Sequence, residues 1–311
     1  MAAELRRQLE PFGLAESVAF EPKIESQLDL DTAAEADLLL DLGYIEDAAL
    51  VQRFKRSAMI DLDPGLTQCW IGEGQITPAP HDLYFTIGET VGTPAARFPD
   101  CGLRWHYTPP PVFLPAWPPT PVNAGAPYTT VSSWWGEWVV HAGEAYSNEK
   151  RSSFLEVVDL PSRTSQRLEL AVALGAGEQE RRRLEQHGWL VREASQVTAT
   201  AEQYRAYIRE SRGEFSCAKP SCVRLGAAWV SDRTLCYLAS GRPAVVQHTG
   251  VSRFLPSAEG LFRFHTVDDA AAALEAVEAD YERHARAARC LTQEYFDAEK
   301  VLTRVLERAM K

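Results

Sequence analysis

The sequence predicts an α/β protein in two layered domains, the carboxyl-terminal one a doubly wound parallel sheet. Three observations predict it. Apolar runs of strand length alternate with amphipathic helical segments along the chain. The alternation breaks once, between Pro109 and Pro121, where seven prolines fall in thirteen positions. Beyond that break the pattern runs β-α-β-α-β-α-β without long gaps, the signature of right-handed crossovers onto one parallel sheet. The length, 311 residues, fits two domains of ordinary size.

Residues 3–12 read as a short helix, 36–42 as a strand and 46–55 as a helix. A second strand covers 57–62 and stops at Asp63-Pro64-Gly65, a turn sequence. A third covers 81–88 and ends at Gly88. Proline can neither continue a helix nor donate to a sheet ladder, so 109–121 is a connection. A strand at 128–132 follows, then the aromatic cluster Trp134, Trp135 and Trp138, and the domains divide at about 1–140 and 141–311. Strands are expected at 167–175, 188–191, 214–219 and 243–247. Helices are expected at 177–187, at 200–211 with Thr198 or Thr200 as N-cap, and at 231–240 with Gly241 just past its end. Two terminal helices span 267–289 and 297–310.

Composition removes several function classes. Hydrophobic residues make up 45% and charged residues 24%, the balance of a globular chain. No run is long enough to cross a membrane, and the charged start lacks the apolar core of a signal peptide, so a soluble cytoplasmic protein is expected. The net charge of −11 argues against a nucleic-acid role. The six cysteines are scattered, and Cys217 and Cys222 have no matching pair, so neither a disulfide framework nor a metal site is expected. Rossmann G-x-G-x-x-G, P-loop, G-x-S-x-G and H-E-x-x-H motifs are all absent.

In an open parallel sheet, ligands sit at the carboxyl ends of the strands. That rule selects Lys219 after one strand, and Gln247, His248, Thr249 and Gly250 after another. Between them a helix opens at Ser231-Asp232-Arg233. Free amides at a helix start attract phosphate, and Arg233 and Lys219 can add charge-assisted bonds to a diphosphate. Asp232 is assigned to orienting Arg233 or to bonding a hydroxyl.

The run from Glu214 to Gly250, with Leu238-Ala239-Ser240-Gly241-Arg242-Pro243-Ala244-Val245-Val246 at its centre, resembles the donor-binding half of GT-B glycosyltransferases. Gly260-Leu261-Phe262-Arg263-Phe264, the helix opening at Thr266, and Cys290 to Met310 are similar to that superfamily's downstream order and closing helix. Weaker resemblance reaches Asp61-Leu62-Asp63-Pro64-Gly65 and Phe85-Thr86-Ile87-Gly88-Glu89. The resemblance implies two Rossmann-like domains and a last helix returning to the first. It also implies a nucleotide-sugar substrate held by the second domain without a metal or other cofactor, and an acceptor in the cleft.

Two departures accompany it. The E-x7-E pattern common in retaining members is missing, with Ala228 and Cys236 in its places, leaving Asp232 or Tyr237 as candidates for the ribose. The first domain opens with a polar helix where a strand and Gly-rich loop are expected, and an open sheet edge would favour a homodimer. Asp61, Asp63 and Glu89, at strand ends of the first domain, are candidate bases, and His248 is the histidine expected near the sugar. Trp134 and Trp135 follow a strand as core or as stacking groups, and the basic segment from Lys150 is a loop within reach of phosphate. A nucleotide-sugar 2-epimerase and a non-catalytic GT-B relative are the rival readings.

Overall fold

A computed structural model describes residues 2–18, 30–175 and 177–311. Strands β1 (Leu39–Asp41), β2 (Ser57–Asp61), β3 (Leu83–Thr86) and β4 (Trp105–Tyr107) form a parallel sheet in that order. The second sheet contains β5 (Tyr128–Ser133), β8 (Leu168–Ala173), β9 (Leu190–Glu193), β10 (Gly213–Ser216), β11 (Ala244–Gln247) and β12 (Leu261–Phe264). A separate antiparallel hairpin joins β6 (Trp138–His141) to β7 (Glu144–Ser147).

The six-stranded sheet runs β12-β11-β10-β5-β8-β9, all parallel. Numbered within the domain, that is the doubly wound order 3-2-1-4-5-6 read from its other edge. Apart from the edge strand β9, its strands are largely buried on both faces, which is why 168–172 and 244–245 read as nearly unbroken apolar runs. Phe215 and Phe264 stack beneath it at 5.3 Å, in a core with Trp134, Phe154 and Trp189. The expected caps are present. The Thr200 side chain accepts from the Gln203 amide, and Gly241 adopts φ 69° after helix Asp232–Ala239.

β5 corrects the expected domain boundary. It pairs with β8 along six residues and with β10, so 128–133 lies at the centre of the second sheet. The first sheet ends at Tyr107, and the passage between domains falls in the proline-rich segment, ahead of residue 140. Other expectations shift in extent. The 46–55 helix shortens to Ala48–Val51, and the 267–289 helix breaks at Asp280, which caps Tyr281–Leu291.

The closing helix Ala298–Ala309 crosses back to the first domain, where Val305 and Ala309 pack on Ala58, Ile60 and Phe85. The two crossings lie side by side: the Val112 amide donates to the Phe296 carbonyl at 2.8 Å, and the Ala298 amide to Val112 at 3.0 Å. The domains also share apolar contacts. Leu225 and Ala227 of the second domain join Met59, Leu66 and Phe98 of the first in one buried cluster. No helix among the described residues is long and apolar enough to cross a membrane.

Candidate functional site

The strand order of the second sheet reverses between β5 and β10, so its switch point lies at their carboxyl ends. Three segments meet there. β10 ends at Ser216 and passes through Cys217 and Ala218 to Lys219, which caps the short helix Pro220–Leu225 instead of ending the strand. Helix Asp232–Ala239 points its amino end at the same place. Its N-cap Ser231 turns its hydroxyl to Asp232 Oδ1, at 3.2 Å, and caps no amide, so no side chain among the described residues occupies the first-turn N–H groups. The third segment is helix Lys150–Glu156, the first helix after β5.

These segments enclose a narrow pocket of about 20 Å³, lined by Lys150, Ser216, Ser231, Arg233, Gln247 and Thr249 among others. Lys150, expected in a loop, is 8% exposed at the start of its helix. Its ammonium has no hydrogen bond or ion pair among the described residues. Burial, and next the Arg233 charge, bring its pKa down from 10.5 to about 7. Lys150 and the helix-start residue Ser231 thus line one pocket.

Arg233 lines the pocket with its guanidinium committed inward. It turns back under the strand ends, where Nε donates to Glu214 Oε1 at 2.7 Å, Nη1 to the Val131 carbonyl at 3.1 Å and Nη2 to Ser216 Oγ at 3.1 Å. The guanidinium thereby ties β5 to β10 across the switch point. Glu214 is fully buried, and its second oxygen has no hydrogen-bond partner among the described residues. Tyr237, the ribose candidate, is also committed to the interior, its hydroxyl 2.6 Å from Thr129 Oγ1. Asp232 is exposed at the helix start. Gln247 Oε1 accepts the Ala218 amide at 3.0 Å, and Thr249 Oγ1 donates to the Trp229 carbonyl at 2.6 Å, so both shape the pocket wall.

Gly250 and His248 face elsewhere. They line a second cavity, between the domains, with Thr90, Arg97 and His265. The His248 ring packs on His265 with centroids 4.3 Å apart. Gly250 has φ +131°, and a Cβ there would come within 2.6 Å of the Ala228 nitrogen and the Gly226 oxygen. Gly250→Ala is expected to cost about 1–3 kcal/mol, read as a lower melting temperature.

The first-domain carboxylates divide. Asp61 is fully buried and accepts from Gln68 Nε2, Thr86 Oγ1 and the Asp63 amide. Burial pushes its pKa up. It organises the turn after β2. Glu89, expected as a base, is an interdomain latch. It is 2% exposed and accepts from Ser252 Oγ and from the Arg253 amide, while Arg253 Nη2 donates to the Glu89 carbonyl at 3.0 Å. Asp63 keeps a half-buried carboxylate with no hydrogen bond among the described residues.

Comparison with solved structures supplies the last observation. No protein-family model matches the chain, and no curated protein matches its sequence. Solved structures do match it in fold, three of them as follows. HepE from Anabaena, solved with UDP-glucose, is 11% identical, with 90% of this chain and 80% of HepE covered at a TM-score of 0.57. A glycosyltransferase from Rickettsia africae is 10% identical, with 97% and 86% covered at 0.57. TarM is 13% identical, with 81% and 54% covered at 0.51. With its two parallel sheets, paired crossings and returning last helix, the chain has the GT-B fold.

Proposed function

We propose that this chain is a glycosyltransferase acting on a nucleoside-diphosphate sugar. The diphosphate is bound at the switch point of the second sheet, by Lys150 and the amino end of helix Asp232–Ala239, once the pocket, whose about 20 Å³ has room for about one water, widens to admit it. The observation that carries this reading is Lys150 itself, buried without a partner in the pocket that Ser231 lines. A buried ammonium is costly unless an anion meets it, and a phosphate would find both the cation and the helix amides. The fold shared with HepE, which was solved with UDP-glucose, supports the same assignment.

In glycosyl transfer the diphosphate leaves as an anion, and its developing charge would fall on Lys150 and the helix dipole, in a site with little water. Lysine and amides would do this without a metal ion. Asp63, two residues past the end of β2 with an uncommitted, half-buried carboxylate, would take a proton from an acceptor in this reading. Lys219 caps the neighbouring helix and adds positive charge close to Lys150.

Calorimetric titration of UDP, GDP, ADP and dTDP into the whole chain tests the reading. At least one diphosphate is expected to bind, and Lys150→Met should weaken it by 1.5–3 kcal/mol, about 10- to 150-fold, the range for a hydrogen bond to a charged group. If none of the four binds the wild type, the donor site falls. The non-catalytic reading, favoured by Ala228 and Cys236 in place of the two glutamates, then takes its place.

A further inference from the structure

Between β5 and the helix that presents Lys150, the chain inserts the β6–β7 hairpin. Its turn has Ala142 at φ 52° and Gly143 at φ 77°, the double left-handed geometry of a two-residue hairpin loop. The inner face is fixed to the first domain. Val139 is 1% exposed in a cluster with Met59, Leu66 and Cys69, and the Ala142 amide donates to Glu73 Oε1 at 3.0 Å. The outer face is bare, with Trp138 69% and Val140 40% exposed. At the foot of the hairpin Trp135 is 51% exposed, although its ring is held in place. Its Nε1 donates to the Leu174 carbonyl at 3.3 Å, and the Arg151 guanidinium lies 5.8 Å from the ring centroid, itself gripped by Glu180 through two bonds of 2.9 Å.

We propose that this hairpin is an acceptor platform, and that the acceptor is a glycan whose pyranose rings stack on Trp135 and Trp138. The proposal rests on the nucleotide-sugar reading above. Its chemistry is that of sugar recognition. An indole face matches the C–H face of a pyranose, and an indole N–H or a flanking charge takes a hydroxyl. Charged pairs stand at both ends of the platform, Arg151–Glu180 at the foot and Arg224–Glu144 at the tip. Two indoles and a valine between charged pairs are also too small for a stable protein interface, which needs about 1,000 Å² or more. Position assigns the platform to the acceptor. One end leads into Lys150, the other face rests on the first domain, and the hairpin thus stands between the phosphate pocket and the domain that carries Asp63.

The test uses the full chain on a glycan array, followed by tryptophan-fluorescence titration of the best ligand. The wild type is expected to bind at least one oligosaccharide and to show a fluorescence change on binding. Trp135→Ala and Trp138→Ala should each weaken that binding at least tenfold, and Trp138→Phe, which keeps a stacking ring, should recover most of it. Nucleoside-diphosphate affinity should be the same in all four proteins, which also reports that the variants are folded. Absence of any bound glycan, or equal glycan affinity in the alanine variants, overturns the platform while leaving the nucleotide reading intact. Loss of nucleotide binding by the wild type overturns that reading instead, and glycan binding measured in the same protein still decides the platform.

Discussion

Lys150→Met is expected to melt at a higher temperature than the wild type while losing nucleotide affinity. Lysine titrates at 10.5 when solvated, and in this fold burial beside the Arg233 charge lowers it to about 7. The folded chain therefore holds fewer protons at this site than the unfolded chain between those two values, and wild-type stability rises with pH across that window. Below about pH 7 the whole cost is present. That whole cost is about 5 kcal/mol, of which about 4 kcal/mol remains at pH 7. Methionine keeps the unbranched stem and removes the charge. The difference in unfolding free energy between variant and wild type should therefore be largest at pH 6–7 and shrink steadily toward pH 10. Taking the difference cancels the buried tyrosines, which titrate in the opposite sense. Denaturant unfolding of both proteins at pH 6, 7, 8, 9 and 10 measures it. A pH-independent difference would show that Lys150 reaches solvent, and the phosphate pocket would lose its cation. A nucleoside diphosphate should narrow the gap, because it stabilises the wild type in proportion to its binding.

The second domain was legible for a physical reason. Strands buried on both faces of a parallel sheet are nearly continuous apolar runs, so 168–173 and 243–247 announce themselves, and Thr200 and Gly241 mark helix ends through local chemistry. The first domain was harder. β4 is only Trp105-His106-Tyr107, too short to show a period. β5 follows the proline run directly, and only its pairing with β8 and β10 shows which sheet it enters. The site was legible to the level of segments and not of side chains. The carboxyl-end rule found Ser231, Gln247 and Thr249, which do line one pocket. It could not tell that Arg233 turns inward, because the cause is Glu214, nineteen positions earlier and fully buried. Lys150 was obscured by the hairpin. In a plain doubly wound domain the first strand runs almost directly into its helix, and here residues 134–149 intervene.

Arg233→Met should destabilise the protein by about 3–5 kcal/mol, the cost of breaking a buried ion pair by removing one partner. The pair is well sheltered, with Glu214 at 0% and Arg233 at 11% side-chain exposure. Without the guanidinium, Glu214 keeps a carboxylate with no partner on either oxygen, and the Val131 carbonyl and Ser216 hydroxyl lose theirs. The strands affected are β5 and β10, and β10 ends at Ser216 in the wall of the pocket proposed for phosphate. Nucleotide affinity should fall as well, through displacement of Lys150 and Ser231 and not through a lost phosphate bond. The double variant Arg233→Met/Glu214→Leu separates the two causes. Replacing both partners by apolar groups is often close to neutral, so the double variant should regain most of the lost stability. If Arg233 only braces the switch point, nucleotide affinity should return with it. If the stable double variant still fails to bind, the guanidinium reaches the diphosphate directly, and the inward geometry is not the one that operates when ligand is bound.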